Sequence, residues 1–192
     1  MDIFLLGYGT LLNQGSLGHS IGQDAAGAKR IVPAVVHGYR RLFNLRPTHY
    51  ESSSKFSDEG IENAAMNVEP AEGSYFNGLG FAVTEEELRE LDQRESYYVR
   101  ETAPLVAFGT GEEIGEGHIY VGKDDSPYLE RDTNLLMPLW RDVVWARVGA
   151  YRISDDFGRM FDATTYLADG TTPVVDAYRE HLRDISDVEM PG

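Results

Sequence analysis

The 192-residue chain contains no cysteine, which excludes disulfides, a thiol nucleophile and any cysteine-ligated metal, and fits a reducing compartment. Basic residues are scarce: 17 Lys and Arg against 32 Asp and Glu leave a net charge of −15. A phosphate backbone or an anionic membrane would be repelled by such a chain unless a local basic patch intervened. The densest basic group, Arg40, Arg41 and Arg46, is too small for one. Apolar runs are short, and none approaches the ~20 residues of a membrane-spanning helix. The opening segment MDIFLLGYGTLL has neither a basic leader region nor a small-residue cleavage site. The five histidines are scattered, with no i, i+4 pair on a helix and no acidic ligand at metal spacing, so no metal is expected. There is no Gly-x-Ser-x-Gly elbow and no Gly-Lys-Ser/Thr, and Gly7-x-Gly9-x-x-Leu12 lacks the third glycine of a dinucleotide fingerprint. The expectation is a single soluble, cytoplasmic domain over 1–192, with 186–192 as a frayed tail and no nucleic-acid or membrane partner. Nothing in the sequence supports an oligomer.

What is present centres on Val83 to Arg100, VTEEELRELDQRESYYVR. Thr84 followed by Glu87 reads as a capping box, and Glu85, Glu86 and Glu87 suit the positive end of a helix beginning there. Leu88 and Leu91 mark its apolar face, and seven residues on from Leu88 that face arrives at Glu95. Glu90 and Arg94 form a solvent-facing i, i+4 pair by spacing. Glu95 thus points where the leucines point, at the helix end where the carbonyls disfavour an anion, so both position and burial predict a raised pKa. A carboxyl of that kind can take and return a proton near neutral pH. The alternative is a structural ion pair with an arginine such as Arg100.

The second motif lies near the start. Ile3 to Leu6 reads as a buried strand entering the turn Gly7-Tyr8-Gly9-Thr10, whose glycines would let the backbone bend and aim successive N–H groups at an anionic oxygen. Residues 13–30 read as a loop with at most one poor helix. Strands are expected at 31–36 and 39–45 around His37-Gly38, at 64–68, and at 76–83 after a turn at 70–73. Gly78 and Gly80 suggest close backbone approach. The polar stretch 50–62 reads as an excursion, and 100–108 with 118–121 as a hairpin around GTGEEIGEG. Helices are expected from Ser126-Pro127, again across Trp140, Val143 and Val144, and from Thr172-Pro173 through Ile185. Strands precede helices, which argues α+β with a mixed or antiparallel sheet that could close into a small barrel. Of the eleven tyrosines, Tyr97, Tyr98, Tyr120 and Tyr128 fall near the helix end and the following elements, where some could line a polar pocket.

These stretches together resemble the γ-glutamylcyclotransferase-like family. Tyr8-Gly9-Thr10-Leu11 is similar to its N-terminal Tyr-Gly-Ser-Leu turn, and Leu91-Asp92-Gln93-Arg94-Glu95 to its Leu-Asp-x-x-Glu helix end. His37 to Phe43, Asn77 to Val83 and Tyr98-x-Arg100 resemble its intervening strands and following Tyr-x-Arg, and Ser126-Pro127-Tyr128 more loosely a later tyrosine element. Thr10 stands where serine is usual and Ser96 where glycine is common. The resemblance implies a small mixed β-barrel with flanking helices and a cofactor-independent conversion of a γ-glutamyl amino acid or amine to 5-oxoproline. It implies Glu95 as general acid/base and Gly7, Tyr8, Gly9, Thr10, Leu11, Tyr98 and Tyr128 as substrate-binding residues. Two alternatives stay open: a non-catalytic γ-glutamyl binding module, and an enzyme removing a γ-glutamyl group from a larger substrate.

Overall fold

A computed structural model describes residues 3–12, 30–46, 61–95 and 97–179. Five strands form a closed ring: β1 (Ile3–Gly7), β2 (Ile31–Leu45), β3 (Glu62–Val83), β4 (Tyr98–Ala107) and β5 (Glu113–Gly122). Their order is β3-β1-β5-β4-β2, and β2 pairs back onto β3 to close the barrel. Every contact is antiparallel except β1 with β5, which makes the barrel mixed. Two short strands, β6 (Leu136–Pro138) and β7 (Thr165–Tyr166), add in parallel to β3 and β2. Four helices are described: α1 (Glu85–Arg94), α2 (Trp140–Ile153), α3 (Asp155–Ala163) and the single turn α4 (Val174–Ala177).

The two-residue period of a strand divides the core. On β1, Phe4 and Leu6 face the barrel interior with Ala34, Val36, Phe76, Leu105 and Ile119. Leu5, between them, faces outward onto a second layer of Leu79, Phe81, Leu88, Leu91, Ala150 and Phe157, which packs α1, α2 and α3 against the barrel. A third apolar cluster joins Phe43 and Ala64 to Leu136, Val143, Leu167 and Val174. α1 begins as its sequence dictates, with the Thr84 hydroxyl accepting from Glu87 N at 3.2 Å and the Glu87 carboxylate accepting from Thr84 N at 2.8 Å.

Several expectations change. The predicted breaks in β2 and β3 are one bulge seen from both sides: Gly38, at φ 83°, opposes four residues, 71–74, where Gly73 has φ 77°. The glycine and proline signals there mark a kink within paired strands rather than an end of pairing. β4 and β5 form the expected hairpin, with a shorter turn because β5 already begins at Glu113. No helix forms at Ser126-Pro127. Arg46 N donates to Tyr128 O at 2.8 Å and Glu130 N to Asn44 O at 2.9 Å, so the segment uses its backbone groups along the end of β2. The helical pattern starts only at Trp140, after Pro138 has ended β6. The C-terminal helix is a single turn as far as it is described, and the predicted continuation past 179 lies outside the described residues, as do the expected loops over 13–29 and 50–60 and the tail 186–192.

Candidate active site

The turn that leaves β1 is shaped by space rather than by an unusual backbone. Neither Gly7 nor Gly9 has a positive φ. A Cβ on Gly7 would instead stand 2.7 Å from Leu11 Cβ and 2.8 Å from Phe81 Cε2, and one on Gly78 would stand 2.7 Å from Gly7 O. The glycines therefore let β1, β3 and the turn approach closely, which corrects the expectation of a glycine-specific bend. A short 3-10 turn, Thr10–Leu12, closes with Leu12 N donating to Gly9 O at 3.0 Å. Among the described residues, the N–H groups of Gly9, Thr10 and Leu11 donate to no backbone carbonyl. The Tyr8 hydroxyl ties the turn to β5 by donating to Tyr120 O at 2.6 Å.

α1 delivers Glu95 to the same place. Leu88 and Leu91 are buried as their spacing predicts. Glu95 caps the helix, its N–H donating to Leu91 O at 2.8 Å, and its side chain is 22% exposed. Tyr98 N then donates to Glu95 O at 2.9 Å and turns the chain into β4. Arg100 pairs with Asp92 at 2.9 Å, not with Glu95. The expected Glu90–Arg94 pair does not form, and Arg94 Nε lies 3.5 Å from Glu95 Oε1.

A cavity of about 290 Å³ opens between these elements, lined by Leu6 to Leu11, by Phe43, Leu45, Ala64, Ala65 and Met66 of the barrel, and by Glu95, Tyr97, Tyr98 and Tyr120. Of the residues singled out in the sequence, Glu95, Gly7, Tyr8, Gly9, Thr10, Leu11 and Tyr98 all line it. Tyr128 does not: it is 37% exposed and stands edge-on to Tyr97 with ring centroids 5.4 Å apart.

The phenols around Glu95 hold their protons. Burial pushes Tyr8 well above the usual value, reinforced by Tyr98 and by the Glu95 charge. Burial and then Glu95 raise Tyr98, whose hydroxyl donates to Met66 O at 3.0 Å. Tyr120 is raised by burial, by its 2.9 Å hydrogen bond to Asp92 and by the charges of Asp92 and Glu95. All three therefore stay protonated near neutral pH.

The lining also includes residues not anticipated from sequence: Asn63, Arg46 and Asp142. Arg46 is held by Glu62 at 2.5 Å and Glu130 at 2.8 Å. Burial raises the Asp142 carboxyl, while Arg141 and Asn63 pull it down. The acidic residue in the first turn of α2 was visible in the sequence, but only the register of β3 against β6 brings that helix over the cavity. Arg40, Arg41 and Arg46 disperse to Glu69, the protein interior and the cavity rim, so they make no basic patch. No group of three or more potential metal ligands is found among the described residues, and no helix among them is long and apolar enough to cross a membrane.

Comparison with known proteins places the chain in a family and its fold among solved structures. The family model described as gamma-glutamyl cyclotransferase, AIG2-like, matches residues 5–142. The chain belongs to this family. Individually curated proteins give no sequence match. Among solved structures, a gamma-glutamyl cyclotransferase aligns at TM-score 0.61 and 14% identity, over 95% of this chain and 99% of its own. An uncharacterised protein from Homo sapiens gives the same values. A yeast gamma-glutamyl cyclotransferase specific to glutathione aligns at TM-score 0.50 and 12% identity, over 99% of this chain and 89% of its own. At such identities the likeness establishes the fold, a five-stranded mixed β-barrel with helices. The family contains gamma-glutamyl cyclotransferase enzymes.

Proposed function

We propose that the cavity cyclises a γ-glutamyl amino acid or γ-glutamyl amine, releasing the free amine and 5-oxoproline, with Glu95 as general acid/base. The observation that carries this reading is that a carboxylate at a helix end and a run of residues whose amides donate to no backbone carbonyl among the described residues, far apart in sequence, line one small cavity. Its volume of about 290 Å³ lies at the small end of the range for ligand sites and suits a dipeptide-sized molecule.

In this reading the amides of the 8–11 turn hold the substrate's α-carboxylate, and Gly7 keeps that turn against the barrel. Tyr98 forms the wall beside Glu95, and Tyr128 supports Tyr97 at the rim. The substrate's α-amine attacks its own γ-carbonyl carbon as Glu95 takes a proton from the nitrogen. The tetrahedral intermediate collapses when Glu95 returns that proton to the leaving nitrogen, and the original amide C–N bond breaks. No cofactor enters the balance. Nucleophile and carbonyl belong to one molecule, so the protein's main contribution is to hold the chain in a ring-closing conformation.

The test is 5-oxoproline formation from a panel of γ-glutamyl amino acids, γ-glutamylamines and glutathione, with Glu95→Gln alongside. Wild-type product and a loss of at least about 100-fold in the variant, with binding retained, is the expected result. Full activity of Glu95→Gln would sink the assignment. Saturable binding without product would move the reading to a non-catalytic module, and product only from a γ-glutamylated protein would move it to a larger substrate.

A further inference from the structure

Arg41 is fully buried, on β2, and is not part of the cavity lining. Its guanidinium makes six hydrogen bonds, all to neutral acceptors. Nε donates to Thr165 Oγ1 at 2.9 Å; Nη1 donates to Asn77 O at 2.7 Å and Tyr8 O at 3.2 Å; Nη2 donates to Asn77 Oδ1 at 3.0 Å, Thr164 Oγ1 at 3.2 Å and Phe161 O at 3.4 Å. The Phe161 ring lies 4.1 Å from its carbon and the Phe76 ring 5.6 Å. No carboxylate lies within ion-pair distance of it among the described residues. The acid whose field reaches it, Asp162, is engaged at 2.8 Å by Nε and Nη2 of Arg147 and at 2.8 Å by the Tyr151 hydroxyl. Burial lowers the Arg41 pKa to about 9, which leaves it cationic at neutral pH.

A buried cation without a direct counter-ion is costly, and such a charge is expected to have a partner. The direction in which Arg41 points identifies that partner. Nη1 donates to the carbonyl of Tyr8, and the other end of that same peptide is the N–H of Gly9, a residue of the cavity lining whose amide donates to no backbone carbonyl among the described residues. A cation on the carbonyl oxygen draws electron density through the peptide and makes the N–H a stronger donor. We propose that Arg41 is a positioning residue for an anionic ligand: from behind the Tyr8–Gly9 peptide it fixes and polarises the turn, and its buried charge balances a substrate carboxylate held on the other side. This rests on the reading of the 8–11 turn as the carboxylate site and adds to it the residue that makes the turn selective for charge.

The test compares binding of 5-oxo-L-proline and its uncharged carboxamide by titration calorimetry. Wild type should prefer the carboxylate by about 10- to 100-fold, as for a hydrogen bond to a charged group. Asn77→Asp keeps an oxygen 3.0 Å from Nη2 and makes it a carboxylate, at the loss of the 2.7 Å hydrogen bond from Asn77 Nδ2 to Phe157 O, and should reduce the preference to about threefold or less with a much smaller change in carboxamide affinity. Arg41→Lys retains the charge and should keep most of the preference; Arg41→Met should lose it. Near-UV circular dichroism checks that each variant is folded, and any one folded variant suffices. A purely structural Arg41 would weaken both probes equally. An unchanged preference in Asn77→Asp or Arg41→Met, or no preference in wild type, overturns the proposal. Turnover is scored separately: product without carboxylate preference keeps the reaction and removes the role of Arg41, whereas preference without product does the reverse.

Discussion

Gly7→Ala probes the claim that the site turn is shaped by close packing. An added Cβ would meet Leu11 Cβ at 2.7 Å and Phe81 Cε2 at 2.8 Å, where ordinary contacts lie at 3.4–4 Å. Leu11 Cβ is attached directly to the turn backbone, and Phe81 is fully buried, so neither can yield without moving the turn. Overpacking of this kind costs about 1–3 kcal/mol. Alanine also restricts the unfolded chain, which returns about 0.4–1 kcal/mol. The net loss of about 1–2 kcal/mol corresponds to a melting temperature lower by about 2–8 °C for a chain of this size. Gly9→Ala is the internal control: its Cβ would meet only Met66, at 3.4 Å or more, and methionine is adaptable, so no overpacking opposes the same gain of about 0.4–1 kcal/mol and a melting temperature at or slightly above that of wild type is expected. Thermal melts of the three proteins measure the contrast, and 5-oxoproline formation measures displacement of the turn, for which a shift near 1 Å lowers the rate by about 100-fold. If Gly7→Ala melts with wild type and turns over normally, the packing argument is wrong.

Thr84→Ala removes half of the capping box and should cost about 1 kcal/mol in chemical unfolding, with Thr84→Ser restoring most of it. Burial alone would push the Glu69 carboxyl up, but hydrogen bonds from Arg131 and Arg40 outweigh it and hold the group below its ordinary value. That contribution is therefore present above the unfolded pKa and is lost as pH falls through the lower folded one. Glu69→Gln should be less stable than wild type by about 2–3 kcal/mol at pH 7, with the gap narrowing in unfolding curves taken below about pH 4.5. Asp142 has the opposite sign: with its folded pKa raised, ionisation at neutral pH opposes folding. Asp142→Asn should raise the melting temperature at pH 7, and the gain should shrink below about pH 4.

The parts of this molecule that are legible in its sequence are those fixed by neighbouring residues. The Thr84–Glu87 box and the Leu88, Leu91, Glu95 face depend on helix geometry over a dozen positions, and both appear in α1 as read. The Gly7–Leu11 turn was also identifiable, although its glycines turn out to make room rather than to bend the chain. What could not be read depends on distant partners. Ser126-Pro127 carries a good helix-start signal, yet the end of β2 takes its backbone hydrogen bonds. Arg41 looked like one of a small surface group, because the acceptors that bury it come from residues 8, 77 and 161–165. Asp142 reaches the cavity only through the packing of α2, in the third of the chain that the family pattern covers least.

The five residues of β1 sit between β3 and β5, pairing Leu5 with Phe81 on one side and with His118 on the other. In synthesis β1 is made before the other four strands of the ring, and its last partner follows more than a hundred residues later. At about 5–20 residues per second, Phe4, Leu5 and Leu6 wait roughly 6–22 seconds before the ring can close. Until β3 is made at Val83 their apolar side chains have no sheet partner, and until β5 is made they have one on a single side only, which is a condition under which chaperones bind nascent chains. The turn that follows β1 takes its final shape only when the strand is seated, so the site is among the last features of the molecule to mature.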